Sequence, residues 1–467
     1  MYMKKNSPAY EFVKLNCFFH LALRKIDFYI FTYTLPTYRL SDKNTQLFVI
    51  QWWKKLSGAV TISWSKNATL PLISASLLIK WKTKLTNVPD ILDVHDFIHF
   101  LESLWSIVSF KDNTLMIDNS NLSLENMDVE KVSRTRASIY FIAGLLANFW
   151  KADIPFPQGD KIWKRPIKEH VDGYRDMWYD FIIEDNTLKV SWSGSTDDVE
   201  IMAYFAVTAT NNLIMWAASR KWKTTIKLAA FEPHVFNLIS LLREIGVDIQ
   251  VRYDHSIIIN GWDELKTEVE FEVISDYLQS WTFAIIWALC ADDYIDIHRA
   301  RIEDLGAFLY KLSEAGVKTQ DMWDDTLRVF RADSLKATAI QTNIFPGFPT
   351  DLMPLYSVLQ TQSEWVSSIN EILYEWRLNW LVEYESMGWN IKLLNPHTAE
   401  ISGKAHLIWS KVNSWDLRSG AAMVIAWLIA EWTTKVNNVY WIERWYENLL
   451  WKLQSLWADI QEVEDEL

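Results

Sequence analysis

LESLWSIVSF (residues 101–110), YRDMWYDFII (174–183), LREIGVDIQV (242–251), LSEAGVKTQD (312–321), YESMGWNIKL (384–393) and LQSLWADIQE (453–462) are six versions of one phrase. Each reads as a helix ending in an apolar residue, one special residue, and then a strand. The special positions are Trp105, Trp178, Gly246, Gly316, Gly388 and Trp457, spaced 73, 68, 70, 72 and 69 residues apart. A fixed period of this length is the mark of a repeated supersecondary unit. The special residue lies just past a helix C-terminus, where a left-handed backbone is usual and glycine is the default. Tryptophan there carries the steric cost of a positive φ on a bulky side chain. Three Gly and three Trp at one structural position read as one residue written in two ways.

Composition points the same way. The chain has 27 Trp and only 13 Gly in 467 residues. Ordinary glycine usage of about 7% would give roughly 33. The sum of the two counts, 27 + 13 = 40, is what a normal glycine content plus a few true tryptophans would give. On this reading a codon translated as Trp is decoded as Gly in the source. The alternative is a tryptophan-rich protein whose aromatics serve as sugar platforms.

The length accommodates two or three domains, and 50% hydrophobic residues can fill large cores. A formal charge of −13 argues against general nucleic-acid binding. The two cysteines, Cys17 and Cys290, make no disulfide framework, which fits a reducing cytoplasm. Cys290 sits in an apolar run and reads as a core residue. No apolar run approaches a membrane span. Residues 1–44 are basic and aromatic, stand outside the repeats, and make a poor signal peptide. They read as an extension, disordered or joined by a mis-assigned start.

Each unit of about 70 residues reads strand, helix, strand, helix, strand, strand. In the first, VTISWSKNA leads into an apolar helix over LPLISASLLIK. A strand, the helix DVHDFIHFLESL and a hairpin with the turn KDN follow. Three such units per domain predict an α/β protein of two domains: 45–65 with 275–467, and 66–274 carrying an active-site loop at 155–170. Extended crossings near 64–66 and 273–276 are the predicted hinges, and the cleft between the domains is the predicted site.

With Trp read as Gly, SWSKNATLPL becomes SGSKNATLPL, KIWKRPIKEH becomes KIGKRPIKEH, and ERWYEN becomes ERGYEN. DLRSGAAMVIAWLIAEWTT becomes DLRSGAAMVIAGLIAEGTT. In this order the motifs resemble the UDP-N-acetylglucosamine enolpyruvyl transferases (1-carboxyvinyltransferases) over residues from about 45 to 463. The resemblance implies two inverted α/β barrels, or prisms, of three βαβαββ repeats each. It implies transfer of the enolpyruvyl group of phosphoenolpyruvate to the 3′-hydroxyl of UDP-N-acetylglucosamine with release of phosphate, the first committed step of peptidoglycan synthesis.

The resemblance also implies roles for particular residues. Lys66 binds phosphoenolpyruvate, Asn67 meets the sugar, and Arg136 lies in the cleft. In the loop PFPQGDKIWKRPIKEH, Asp160 stands where the family usually has a cysteine that donates a proton and is attacked by fosfomycin. A carboxyl of raised pKa can serve as that acid but cannot form the thioether. Arg165 suits phosphate or carboxylate, and Pro166, Ile167, Lys168, Glu169 and His170 would meet the uridine part. Tyr204, Phe205, Ala206 and Val207 match a nucleotide-phosphate segment, with Thr208 in a place often held by Gly. Glu232, Leu373, Glu375 and Arg377 match cleft positions, as do Asp416 and Arg418. Asp351 would take the 3′-hydroxyl proton, and Arg444 would grip the substrate phosphate. Lys66, Arg136, Arg165, Arg418 and Arg444 are predicted to converge on one cleft. No P-loop, GxGxxG or Cys/His metal spacing is present, so neither cofactor nor metal is expected. The oligomeric state stays open. Two rivals remain: the sister shikimate 3-phosphate enolpyruvyl transferase, and a non-catalytic sugar-binding module in which the Trp are real. Trp380, Trp415 and Trp441 are the tryptophans the family pattern does not ask to be Gly.

Overall fold

The computed structural model describes residues 46–50, 55–156, 167–194, 197–261, 265–375, 377–408, 417–431, 434–436 and 440–464. Its first repeat runs strand Ala59–Thr61, helix Lys66–Ala75, strand Lys82–Thr86, helix Leu92–Ser103 and the hairpin Ile107–Lys111 with Thr114–Asp118. The order is the one the repeat predicts. The first helix starts earlier than its apolar run suggests. Ser65 caps it, its hydroxyl accepting from the Ala68 amide at 3.3 Å. Lys66 and Asn67 therefore sit in the first turn of a helix with nine of ten residues buried. A helix that is apolar all round belongs inside a core.

The hairpin turns follow from their residues. Asp112 and Asn113 have φ of 49° and 56°, and Asp185 and Asn186 have 47° and 57°. Asp and Asn are the residues that tolerate the two positive φ angles a tight hairpin needs. The repeated phrase is also one conformation throughout. Trp105, Trp178 and Trp457 have φ of 71°, 64° and 72°, and Gly246, Gly316 and Gly388 have 108°, 88° and 88°.

Among the described residues, six sheets of three or four strands carry the helices, with one further two-stranded pair. The first-repeat sheet borrows a strand: Glu268–Glu272 lies parallel to Lys82–Thr86, with Val269 opposite Thr83. Ala59–Thr61 lies in turn parallel to Tyr294–His298, with Ala59 opposite Asp296. The chain thus leaves one core after strand Ala59–Thr61 and returns to it near residue 275. At the crossing the Ser65 amide donates to the Ile274 carbonyl at 2.8 Å, and the Asp276 amide to the Ser63 carbonyl at 2.9 Å. The buried apolar residues form two clusters, one from Ala68 to Val273 and one from Phe48 to Ile62 with Tyr277 to Ile460. Residues 44–467 form one compact unit around these two cores. Cys290 is buried in the second cluster, and burial pushes its thiol up to about 12. Among the described residues no helix is long and apolar enough to cross a membrane.

Candidate active site

Helix starts build the site. A cleft of about 530 Å³ opens where residues of both cores meet. Asn67, Arg136, Glu169, Val207, Tyr277, Asp351 and Arg418 each lie in the first two residues of a helix or helical turn that faces it. Glu232 is the residue from which helix Pro233–Glu244 departs. A helix start presents unpaired N–H groups and the positive end of a dipole, so their convergence favours an anionic ligand. Thr135 fixes Arg136 by capping its turn, its hydroxyl accepting from the Ala137 amide at 3.4 Å. Tyr204 and Phe205, with φ of 48° and 57°, turn the chain sharply into Ala206 and helix Val207–Ala218. Positive φ on aromatic residues is the kind of strain that clusters at functional sites.

Two ionic groups dominate the electrostatics. Asp351 accepts from Arg377 Nη2 at 2.8 Å and from Arg418 Nη2 at 3.0 Å. Burial alone would raise its pKa, but the guanidinium groups of Arg418 and Arg377 outweigh it and hold the carboxyl well below the usual range. Asp93 is the second centre. It meets Lys66 Nζ at 2.5 Å and accepts from Arg444 Nε and Nη2 at 2.7 and 3.1 Å, with all three side chains buried. Burial again opposes, but Lys66 and Arg444 bring its pKa down to about 2.

Three further groups line the cleft in neutral or half-neutral form. Burial pushes Glu232 up to about 7, with the nearby Asp351 charge adding to it. Burial and Arg136 bring His170 down to about 3, and burial brings His234 down to about 4. His170 is held by the Thr208 hydroxyl at 3.3 Å and the Asn212 side-chain amide at 3.4 Å.

The predicted residues divide in four. Asn67, Arg136, Glu169, His170, Tyr204, Phe205, Ala206, Val207, Glu232, Asp351, Leu373, Arg377 and Arg418 line the cleft. Lys66 and Arg444 are buried on Asp93 and are not among the residues that line it. The Trp445 indole lies against both groups, 5.3 Å from Lys66 Nζ and 5.1 Å from Arg418 Cζ. Ile167 turns into the core, Lys168 pairs along its own helix with Asp172, and Glu375 is exposed away from the lining. Asp160, Arg165, Pro166 and Asp416 lie outside the described residues, as does Trp415.

Sequence reasoning missed Asp93, Thr208 as a partner of His170, and the His234, Tyr277 and Asn343–Phe345 walls. Asp93 lies in LDVHDF, a helix start with an acid in its first turn. Nothing local separates it from an ordinary capping acid.

Residues 50–453 match the family described as EPSP synthase (3-phosphoshikimate 1-carboxyvinyltransferase). The chain is 34% identical over 411 residues to a UDP-N-acetylglucosamine 1-carboxyvinyltransferase of Campylobacter jejuni subsp. jejuni, covering 88% of this chain and 97% of that protein. It is 35% identical over 418 residues to the protein of the same name from Idiomarina loihiensis, covering 89% and 99%. Among solved structures it is similar in fold to the enolpyruvyl transferase NikO from Streptomyces tendae, at a TM-score of 0.81 and 20% identity over 90% of this chain and 99% of that one. EPSP synthase from Acinetobacter baumannii gives 0.67 and 13%, over 90% and 100%. These folds are of the two-domain inverted α/β barrel type.

Proposed function

The chain belongs to the enolpyruvyl (1-carboxyvinyl) transferase family, and we propose that it transfers the enolpyruvyl group of phosphoenolpyruvate to the 3′-hydroxyl of UDP-N-acetylglucosamine. The observation that carries this reading is the near full-length identity to proteins of that name. Its cleft of converging helix starts suits two anionic substrates. The cytoplasm and peptidoglycan synthesis are the setting this activity implies.

In the proposed reaction the two halves close about the crossing at 63–66 and 273–276. The 3′-oxygen adds to C2 of phosphoenolpyruvate while its proton passes to a base and C3 receives one. Loss of a C3 proton and of phosphate from the tetrahedral adduct then restores the double bond. Asp351 is the base. While Arg377 and Arg418 both hold it, its carboxylate is weakly basic. A substrate anion that draws off one guanidinium raises its basicity at the moment it is needed. Glu232, which holds a proton up to about pH 7, is a second reservoir in the cleft. Asp160 supplies the C3 proton in place of a thiol, so the enzyme resists fosfomycin. Lys66, Arg165 and Arg444 hold the phosphoenolpyruvate.

The test is phosphate release from phosphoenolpyruvate with either UDP-N-acetylglucosamine or shikimate 3-phosphate as acceptor. Release with the UDP-sugar alone, unchanged by fosfomycin and lost in Asp160→Ala, supports the reading. Release with shikimate 3-phosphate alone transfers the protein to the sister activity. That second reading rests on the description of the matching family.

A further inference from the structure

We infer that Glu371 is a positioning residue for the reaction: its carboxylate holds the Asp351 turn and the Leu373–Tyr374 wall against each other, and so sets where the base stands. The inference rests on the proposed function, in which Asp351 is that base.

Glu371 directly follows strand Val366–Asn370 and is wholly buried. Its carboxylate accepts from four donors among the described residues. Oε1 takes the Thr342 hydroxyl at 2.8 Å and the Leu373 and Tyr374 amides at 2.9 and 3.1 Å. Oε2 takes the Thr350 hydroxyl at 2.5 Å. A carboxylate has about four acceptor sites, so these donors fill it. The backbone of Glu371 is held as well. Its amide donates to the His397 carbonyl at 2.7 Å, and its carbonyl accepts from His397 Nδ1 at 2.7 Å. A buried carboxylate is tolerated when it is hydrogen-bonded this fully.

The donors come from separate stretches of chain and meet behind the cleft wall. Thr342 directly precedes the lining residues Asn343–Phe345, and Thr350, Leu373 and Tyr374 are lining residues themselves. The helical turn Thr350–Leu352 has no side-chain cap of its own. Residues 371–375 form neither helix nor strand. Irregular backbone has no ladder to fix it, so its placement falls to the group that takes up its N–H donors. Both members of the Asp351–Arg377 pair depend on this arrangement. Asp351 directly follows Thr350, and the Arg377 amide donates to the Tyr374 carbonyl at 3.4 Å. Arg377 Nη2 then reaches Asp351 at 2.8 Å. Glu371 is not among the residues that line the cleft and acts through the segments that carry the pair. Misplacing a reacting group by an ångström can cost about a hundredfold in rate.

Steady-state phosphate release from phosphoenolpyruvate with UDP-N-acetylglucosamine tests this in the full chain. Glu371→Ala is expected to lower kcat by more than about tenfold. Glu371→Gln is expected to recover most of that loss. Its Oε1 keeps three of the four donors, and the Thr350 hydroxyl can turn to accept from the new N–H. Should Glu371→Ala fail to fold, Thr350→Val decides, since it cuts only the link to the Asp351 turn. It is expected to lower kcat about tenfold with KM for the UDP-sugar within about threefold, and Thr350→Ser to restore the rate. An unchanged kcat in Glu371→Ala or Thr350→Val overturns the inference, as does a glutamine variant no better than alanine. If the unaltered chain releases no phosphate, the enolpyruvyl reading falls and the catalytic part of this inference with it. Hydrogen–deuterium exchange judges the carboxylate separately. Residues 371–375 are expected to exchange faster in Glu371→Ala than in the unaltered chain, and equal exchange overturns its hold on the wall.

Discussion

Asp93 is the residue on which the buried cations depend. It holds Lys66 and Arg444 together, and all three side chains are buried. Removing one partner of a buried ionic group leaves the others uncompensated, which typically costs about 3–5 kcal/mol. Asp93→Asn is therefore expected to lower the unfolding free energy by about that amount, read by urea denaturation. It is also expected to lower kcat/KM by more than about tenfold, because both cations lose their anchor. An unchanged denaturation midpoint would show the cluster to be dispensable.

A pH prediction belongs to the same scale. Burial raises Glu232 from 4.5 to about 7 and Asp276 from 3.8 to about 7. Both groups bind protons more tightly folded than unfolded. Their contribution to stability is thus fully present below about pH 4 and is lost as pH rises through about 7. Asp93 acts oppositely, its contribution being lost as pH falls from 3.8 toward 2. Glu232→Gln is expected to flatten the decline between pH 4.5 and 7 by up to about 3 kcal/mol, measured by denaturant titration at several pH values. An identical pH profile in the variant would remove Glu232 from this account.

At the scale of elements, the recurring helix end is the device that repeats. Each copy needs one left-handed residue between helix and strand, but the surroundings differ. A Cβ at Gly246 meets nothing within 4 Å, whereas at Gly388 it meets the His406 carbonyl oxygen at 2.5 Å. Gly246→Ala is expected to cost about 1 kcal/mol from the backbone alone. Gly388→Ala is expected to cost distinctly more, because that carbonyl must move. Thermal unfolding of the two variants compares them, and equal losses would contradict the contact. By the same argument Trp178→Gly is expected to stabilise by about 1 kcal/mol. Helix starts are the complementary device: their shared placement gathers side chains from distant stretches around one cleft.

For the molecule as a whole, the exchange of strands is decisive. Ala59–Thr61 pairs with Tyr294–His298 and Glu268–Glu272 with Lys82–Thr86, so two chain crossings join the cores. Few connections and two independent cores are the arrangement in which halves move as bodies. Saturating UDP-N-acetylglucosamine is expected to reduce the radius of gyration in small-angle scattering. No change on addition would argue against closure.

The chain itself declared the period, the class of fold and the hairpin turns, because each depends on short-range rules: a left-handed residue after a helix, Asp and Asn in tight turns. Through the family resemblance it also pointed to Asn67, Asp351 and Arg418, which the structure places at helix starts on the cleft. What it did not declare was which cations share a carboxylate. Asp93 lies 27 residues from Lys66 and 351 from Arg444, and only folding brings the three within hydrogen-bond reach. Nor did it declare that Ile167 and Glu375 turn away from a cleft their neighbours face. The direction of a side chain in an irregular segment is set by what packs against it, and that information is spread over the whole fold.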